Sequence, residues 1–387
     1  MKRIIAAILS AALILALSIS SGAINRETVS QSPEKPTVSA KAAVLIDKDS
    51  GQIIFAENEN ARLPMASTTK IMTTLLLLES GDLDTEFVVD PIAIRTEGSS
   101  MGLQEGDIVS KRDLAYGMML PSGNDAANET AFLLGGDIPG FARLMNEKAQ
   151  ILGLTGSHFV TPSGLHAANH YSTAYDMAML TRAAMENADF RDIAATESIK
   201  IDYGNPPYDR WVSNTNKLLT LYDGCNGVKT GFTDEAGRCL ISSAERGGVN
   251  LIAVTLDAPD DWNDHRKMFD YGFSVAHNKT LDVNIGNPAV SVAGGTKKDV
   301  SLKLKNAPQK TEVDGLPEGQ IDCKILIPKY VFAPVCAGQE IGKAQFISNG
   351  KVFDTVGLIA ADDIPKNEKK HFRPFYYDII DKIKEWI

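Results

Sequence analysis

Residues 65–80 read Met-Ala-Ser-Thr-Thr-Lys-Ile-Met-Thr-Thr-Leu-Leu-Leu-Leu-Glu-Ser, a serine and a lysine followed at once by an apolar run. The run ends shortly before Gly81, and this pattern predicts a buried helix. Ser67 would lie in the first turn, where backbone N–H groups lack intrahelical partners and the helix dipole favours negative charge. Residues three apart share a helix face, so Lys70 is predicted to lie beside Ser67.

The Ser67–Lys70 pair predicts nucleophilic catalysis. A hydroxyl is a poor nucleophile until a base takes its proton. A lysine becomes such a base when burial and a second positive charge lower its pKa, and Lys229 is the predicted second charge. The alternative interpretation is a serine that caps a helix N-terminus next to a solvated lysine.

Ser122-Gly123-Asn124 is the second motif along the chain. Pro121 before it and Gly123 within it predict a tight loop between two helical stretches. We expect this loop to place a second hydroxyl and an amide beside Ser67. Ser122 would relay a proton to the leaving nitrogen, and Asn124 would bind the substrate backbone. The alternative is a helix-capping serine followed by an Asx turn.

Lys229-Thr230-Gly231 is the third motif. The strand-like segments 228–233 and 239–244 flank a turn that contains Gly237, and together they predict a β-hairpin. An edge strand here can pair with an extended peptide, and Gly231 leaves room for the peptide backbone. Lys229 and Thr230 are expected to hold a carboxylate. The alternative is a surface strand with an ordinary exposed lysine.

The three motifs, in this order and context, resemble those of a known family. The chain resembles the low-molecular-mass penicillin-binding proteins of the D-alanyl-D-alanine carboxypeptidase type, serine peptidase family S11, over about residues 40–360. The resemblance extends beyond the motifs to the connecting residues, in the stretches 65–73, 163–165, 170–178 and 227–233. An ordered set of this kind is far more specific than any one of its members.

The resemblance implies a role for each motif residue. Ser67 would be the acyl-accepting nucleophile, Lys70 its general base and Ser122 the proton shuttle. The residues that would bind the substrate are Asn124, Lys229, Thr230, Gly231 and Phe232. The backbone N–H groups of Ser67 and Phe232 would form the oxyanion hole. Family members often carry an arginine before the last core helix, where this chain has the acidic stretch 258–262.

The predicted fold class is α+β. A β-lactamase/transpeptidase-like catalytic domain, with an antiparallel sheet flanked by helices, is followed by a small all-β domain. The predicted parts are a signal peptide (1–23), a linker (24–40), a serine D,D-peptidase domain (41–279), a small β-sandwich-like domain (280–362) and an amphipathic helix (366–387). Inside the catalytic domain we expect a first hairpin at 42–47 and 52–55, helical segments over roughly 111–190, and a closing helix at 262–272.

The composition and the N-terminal sequence predict the class of protein and its location. The chain has 387 residues, 44% of them apolar, and a net charge of −10, which is typical of a globular protein that does not bind nucleic acid. A basic pair at 2–3, an apolar run at 4–19 and small residues at 21–23 predict a secretory signal peptide. An uncleaved membrane anchor is the alternative. We therefore expect an exported, extracytoplasmic protein that needs no metal or cofactor.

The cysteines and histidines leave their roles open. Four cysteines occur, at positions 225, 239, 323 and 336. In an exported protein they could form one disulfide per domain or remain free thiols, and their spacing does not decide between these. His166 and His170 have metal-ligand spacing, but they lie in a loop-like stretch without a further ligand nearby, so zinc is not expected.

The C-terminal segment Phe375–Ile387 predicts an amphipathic helix. Its apolar side chains fall within an arc of about 140° when placed at 100° per residue. Such a helix either docks on the protein or lies in a membrane interface. Upstream basic residues at 366, 369, 370 and 373 suit an anionic lipid surface. We expect peripheral attachment to the outer face of the cytoplasmic membrane.

The main functional prediction is removal of the terminal D-alanine from peptidoglycan stem pentapeptides through an acyl-enzyme, with β-lactams as covalent inhibitors. A class A β-lactamase is one alternative, but its deacylating glutamate is absent between Lys148 and Met185. A non-catalytic β-lactam sensor or cell-wall binding module is the other. Release of D-alanine separates the three.

Overall fold

The computed structural model describes residues 33–316, 320–348, 350–367 and 382–384. The chain divides into a short unit that ends at Glu34 and a main unit that begins at Lys35. The predicted signal peptide lies outside the described residues, as does most of the predicted C-terminal helix, of which residues 382–384 are helical. In the described part of the chain, no helix is long and apolar enough to cross a membrane.

The elements are numbered in chain order. The strands of the first part are β1 (Ala42–Asp47), β2 (Ile53–Glu57), β3 (Glu86–Val88), β4 (Ile108–Ser110), β5 (Ser198–Gly204), β6 (Pro207–Ser213), β7 (Cys225–Thr233), β8 (Gly237–Arg246), β9 (Val249–Leu256) and β10 (Ala276–Thr280). The helices are α1 (Lys70–Glu79), α2 (Lys111–Met119), α3 (Asn124–Gly135), α4 (Ile138–Ile151), α5 (Ala174–Ala184), α6 (Ala188–Ala195), α7 (Leu218–Leu221) and α8 (Asp261–Val275). The later strands are β11 (Ala289–Ala293), β12 (Asp299–Leu304), β13 (Gln309–Val313), β14 (Ile321–Leu326), β15 (Tyr330–Phe332), β16 (Glu340–Ser348) and β17 (Lys351–Ala360).

A five-stranded antiparallel sheet, in the order β2-β1-β9-β8-β7, separates two apolar layers. Side chains alternate between the faces of a strand. In β1, Val44 and Ile46 pack with the helices from α1 to α6, whereas Ala43 and Leu45 pack against α8. This is the predicted architecture of an antiparallel sheet flanked by helices. Strand β7 lies at the edge of the sheet, so its outer side is available to a ligand.

Helix α1 is buried on nearly all sides, as its continuous apolar run predicts. It begins with the 3₁₀ turn Ala66–Thr69, which contains Ser67, so the serine lies at the helix start as expected. The helix packs among the other helices, and the 3₁₀ turn that precedes it contacts β7 and β8. Its rigid position fixes Ser67 and Lys70 relative to both layers.

The remaining expectations for this part hold with shifted boundaries. The first hairpin pairs β1 with β2, and β7 pairs with β8 as predicted. The closing helix α8 is longer than the predicted 262–272. The helical region is interrupted over 152–173, where no helix forms because Gly153, Pro162 and Gly164 break the pattern. The end of the predicted linker is held by Ser39, whose N and Oγ donate to Asp264 at 2.9 and 2.7 Å.

The second part of the chain is the predicted small all-β domain. Its main sheet has the order β14-β16-β17-β12-β11-β15, around a core that includes Val300, Phe346 and Leu358. Only three residues join the two edge strands β14 and β15, a link of about 15 Å at most, whereas six flat strands would span about 24 Å. The sheet must therefore curl so that its edges approach each other. β10, which directly follows α8 in the chain, pairs with β13 in a separate two-stranded sheet. The exact domain boundaries stay predictions.

Candidate active site

The structure brings the first two motifs into contact. Lys70 Nζ lies 2.9 Å from Ser67 Oγ and 3.5 Å from Ser122 Oγ. Ser67 is at the start of α1, and Ser122 is in the tight turn between α2 and α3 with a φ of +65°. A non-glycine residue in this left-handed region is strained, and such strain is typical of functional sites. The helix start and the turn thus place the hydroxyl groups of Ser67 and Ser122 next to the Lys70 amine.

Lys70 is fully buried, and its further partners are neutral oxygens. Nζ donates to Asn124 Oδ1 at 2.7 Å and to the Ser163 carbonyl at 2.8 Å. Burial lowers the pKa of Lys70 well below its usual value, the nearby charge of Lys229 lowers this pKa further, and Asp125 opposes the shift. A neutral amine has two N–H hydrogens, which it can donate to Asn124 Oδ1 and to the Ser163 carbonyl oxygen, since both of these can only accept hydrogen bonds. Its lone pair is then available to the Ser67 hydroxyl.

The third motif lies on β7, directly against the serine turn. Gly231 approaches so closely that a Cβ there would lie 3.0 Å from Ser67 N, which explains the need for glycine. Thr230 Oγ1 lies 2.7 Å from Thr215 Oγ1 at the surface of the cleft. Lys229 is instead fully buried, and its Nζ donates to the Thr230 carbonyl at 3.0 Å. Burial lowers the pKa of Lys229 to about 7.

Asn124 is held away from the open cleft. Its Oδ1 accepts from Lys70, and its Nδ2 donates to the Glu97 carbonyl at 2.7 Å. Only 4% of the residue is exposed. The predicted contact of Asn124 with a substrate amide therefore stays a prediction. What the structure does contain is a hydrogen bond that the Lys70 amine donates to this amide oxygen.

Asp125 has a role that the sequence analysis did not identify. Its buried carboxylate accepts backbone N–H bonds from Met101 at 2.9 Å, Gly102 at 3.0 Å and Leu103 at 3.0 Å. It thereby orders the loop that also supplies the Glu97 carbonyl. An acid next to the second motif was the available signal, but its partners come from a distant loop that sequence spacing does not reveal.

The segment 152–173 supports the serine turn from behind. His170 Nδ1 accepts from the Val160 N–H at 2.9 Å, so Nε2 carries the proton and donates to Thr69 Oγ1 at 2.9 Å. Burial lowers the pKa of His170 to about 4, which keeps the ring neutral. His170, which the sequence placed at metal-ligand spacing, is thus a structural residue. Gly164 packs against the Ala66 carbonyl, and a Cβ at Gly164 would lie 1.9 Å from that oxygen.

The cleft in front of Ser67 has a volume of about 550 Å³. Its lining includes Ser67, Ser99, Ser122, Thr215, Lys217, Thr230, Gly231, Phe232, Arg238, Asp261 and Trp262. A larger hollow, of about 750 Å³, lies along α4 and contains none of the motif residues, so we assign the chemistry to the smaller cleft.

Arg238 is the second residue that the sequence analysis missed. It lies opposite Phe232 in the β7–β8 pair and donates to Asp261 Oδ1 at 2.8 Å. Its guanidinium has five donors in total, so this contact leaves others for a ligand. The predicted hairpin came one residue short of this pair, because its second strand began at residue 239, whereas the structure pairs residue 238 with residue 232. The acidic stretch 258–262, at the start of α8, thus binds an arginine that comes from strand β8.

All four cysteines are free thiols, which decides the alternative that the sequence left open. Cys239 is buried, whereas Cys323 and Cys336 are exposed. Burial raises the pKa of Cys225 to about 11, so that thiol stays protonated near neutral pH. No cysteine is among the residues that line the cleft.

Comparison with protein families places both parts of the chain. The model of the D-alanyl-D-alanine carboxypeptidase family, peptidase S11, matches residues 28–260. The model described as the C-terminal domain of penicillin-binding protein 5 matches residues 264–366. The second match begins inside α8, although this helix packs on the five-stranded sheet of the first part.

Individual relatives agree with these matches. The D-alanyl-D-alanine carboxypeptidase DacF of Bacillus subtilis is 33% identical over 338 residues, covering 84% of this chain and 86% of the relative. The structure of penicillin-binding protein 5 from Haemophilus influenzae has a TM-score of 0.62 at 27% identity and covers 86% of this chain and 100% of that one. The Streptomyces K15 DD-transpeptidase has a TM-score of 0.60 at 32% identity and covers 63% and 100%, respectively.

The close packing of Gly164 predicts an unequal response to two glycine substitutions. Gly164→Ala should lower the free energy of unfolding by about 3 kcal/mol or more and slow acylation of Ser67, because the new methyl group collides with the Ala66 carbonyl. Gly136→Ala is the matched control, since Gly136 has a similar positive φ but no atom within 4 Å of its Cβ position. It should cost about 1 kcal/mol. Urea unfolding and penicillin-labelling rates test this, and equal effects of the two variants would contradict it.

Proposed function

The chain belongs to the D-alanyl-D-alanine carboxypeptidase family, peptidase S11, and from this premise we propose how its own residues release the terminal D-alanine of peptidoglycan stem peptides. The observation that carries the proposal is the 2.9 Å contact between Ser67 Oγ and a fully buried lysine amine, at the mouth of a cleft beside an edge strand. Buried lysine beside a helix-start serine is an arrangement that activates a hydroxyl.

Acylation begins with proton transfer from Ser67 Oγ to the lone pair of neutral Lys70. The oxygen then attacks the carbonyl carbon of the penultimate D-alanine, and a C–O bond forms. As the C–N bond breaks, Ser122 passes a proton to the leaving nitrogen and regains one from Lys70, whose Nζ lies 3.5 Å away. Free D-alanine leaves. Water then attacks the acyl-enzyme ester and releases the shortened peptide, which restores the Ser67 hydroxyl.

Two backbone N–H groups, from Ser67 and Phe232, are proposed to stabilise the oxyanion. Support comes from the contact of Gly231 with the serine turn, since it brings the end of β7 against Ser67 N. A donor of this kind is typically worth about 10²–10³ in rate. The substrate would lie along the open edge of β7 as an added strand.

For the substrate carboxylate we propose a clamp that differs from the expected one. Lys229 is fully buried behind Thr230, which favours an electrostatic role for Lys229, lowering the pKa of Lys70, over direct contact with the substrate. The Thr230 hydroxyl and the Arg238 guanidinium both line the cleft. We assign the carboxylate contact to these two groups, with Arg238 oriented by Asp261.

Hydrolysis of antibiotics is not favoured. The segment 152–173, which lies behind the site, presents the Ser163 carbonyl to Lys70 and contains no aspartate or glutamate. A base that activates a deacylating water from that side is therefore missing. β-Lactams should acylate Ser67 and remain attached, as expected for inhibitors. A purely sensory role is disfavoured by membership of a family of carboxypeptidases.

We further propose that the enzyme works outside the cytoplasm, after removal of the signal peptide, at the outer face of the cytoplasmic membrane. The N-terminal charge and apolar pattern supports export. The apolar arc of Phe375–Ile387 supports peripheral attachment. From this position the enzyme would reach its stem-peptide substrates.

Replacement of the nucleophile tests the proposed reaction. Ser67→Ala should abolish both release of D-alanine and covalent labelling by a fluorescent penicillin, because no acyl-enzyme can form. Ser99→Ala, at another serine of the same cleft, is the matched control and should keep both activities. Mass spectrometry of the penicillin-treated wild type should find one adduct, on the peptide that contains Ser67. An adduct on any other serine would disprove the assignment.

The carboxylate clamp predicts a selective loss. Arg238→Ala should lower kcat/KM for a peptide ending in D-Ala-D-Ala by about 10- to 100-fold, because one charge-assisted contact is lost. The same variant should erase the preference for benzylpenicillin over its methyl ester, which lacks the negative charge. Lys217→Ala, which removes the other cation at the surface of the cleft, is the control and should retain that preference. The clamp is wrong if Lys217→Ala removes the preference and Arg238→Ala does not.

A further inference from the structure

The curled sheet of the second domain carries an apolar patch that catalysis does not use. In the segment Leu326–Phe332, Leu326 is 40% exposed, Ile327 38%, Tyr330 53% and Phe332 70%. We call these four side chains the 326–332 patch. The rings of Tyr330 and Phe332 lie on the same side of β15 in edge-to-face contact, with centroids 5.4 Å apart. Exposed aromatic side chains that cluster on an edge strand indicate an interaction surface.

The described stretch 350–367 ends at Asn367, beside this patch. Asn367 N donates to the Gly294 carbonyl at 2.8 Å, and Ala333 N donates to the neighbouring Ala293 carbonyl at 3.0 Å. Ala333, which follows Phe332, and Asn367 are therefore bound to consecutive residues at the end of β11. Along the chain, seven residues separate Asn367 from Phe375.

The surroundings of the patch carry an excess of positive charge. Lys329 lies within the segment, and exposed Lys343 is paired with Leu326 across β14 and β16. Three more lysines, Lys297, Lys298 and Lys366, lie near the end of β11. The acids in the same region are Asp299, Asp362 and Asp363. Asp299 accepts from the Ser291 hydroxyl at 2.9 Å, and Asp362 lies 3.9 Å from Lys297. A ligand that binds here therefore meets an apolar and aromatic surface with basic side chains around it, which suits an anionic lipid surface.

We propose that the 326–332 patch is a lipid-binding surface that enters the same membrane interface as Phe375–Ile387. The inference rests on the proposed peripheral attachment and adds a second contact to it. Tyrosine and phenylalanine suit the boundary between headgroups and acyl chains, because they combine a large apolar surface with few polar atoms. The short connection gives the second contact a high effective concentration once the first has formed. Two contacts also fix the orientation of the enzyme on the membrane.

The test compares four mature full-length proteins in co-sedimentation with vesicles of phosphatidylcholine and phosphatidylglycerol. They are the wild type, Tyr330→Ser/Phe332→Ser, Ile380→Asp/Ile383→Asp and Trp211→Ser. Trp211 is the matched control, since it is 73% exposed on β6, far along the chain from the patch. The patch variant should bind about tenfold or more weakly than the wild type, at low and at high salt alike. Trp211→Ser should bind like the wild type, and all four should release D-alanine from a small soluble peptide equally well.

The outcomes separate the two proposals. If the wild type does not sediment, peripheral attachment itself is wrong. If the wild type sediments, Ile380→Asp/Ile383→Asp does not, and the patch variant equals the wild type, the C-terminal segment is the sole contact and the inference about the patch is overturned. Loss of binding to purified peptidoglycan, with vesicle binding unchanged, would also overturn it, because the patch would then recognise the cell wall.

Discussion

The active site depends on a lysine amine that is buried without a negatively charged hydrogen-bond partner. Among the residues that the structure describes, the hydrogen-bond partners of Lys70 Nζ are hydroxyl, amide and carbonyl oxygens, and the charge of a second buried lysine, Lys229, lowers the pKa of Lys70. Charging an amine in such surroundings is costly, so the fold favours the neutral base. The packing of α1 in the helical layer, the Ser163 carbonyl and the edge strand β7 each maintain this environment.

The sequence predicts the chemistry better than the contacts that tune it. The order of the motifs, the helix start at Ser67 and the β7–β8 hairpin follow from local pattern, and the structure contains all three. The Ser163 carbonyl and the carboxylate of Asp125 could not be predicted, because their partners are set by long-range packing. The burial of Lys229 could not be predicted either, because the alternation of side chains along an edge strand does not show which face of the strand a neighbouring turn covers.

Arg238 is proposed to bind the substrate carboxylate from a different place in the chain than the resemblance implies. The acidic stretch 258–262, which overlaps the start of α8, lacks the arginine expected by resemblance, yet Asp261 in that stretch binds Arg238 from β8. The guanidinium therefore reaches the cleft from across the β7–β8 hairpin. In the second domain, similarly, the curled sheet brings the patch at Tyr330 and the exit of the C-terminal segment together. Neither arrangement is visible from residue spacing alone.

The protonation state of Lys70 tests this account most directly. In protein labelled with ¹⁵N-lysine, the Nζ signal of Lys70, assigned by its loss in Lys70→Arg, is followed as a function of pH. The account predicts a pKa well below the usual 10.5 and a rise of this pKa in Lys229→Met, because removal of a nearby positive charge favours the protonated amine. A Lys70 that stays protonated up to about pH 10, as an ordinary lysine does, would contradict its role as the base.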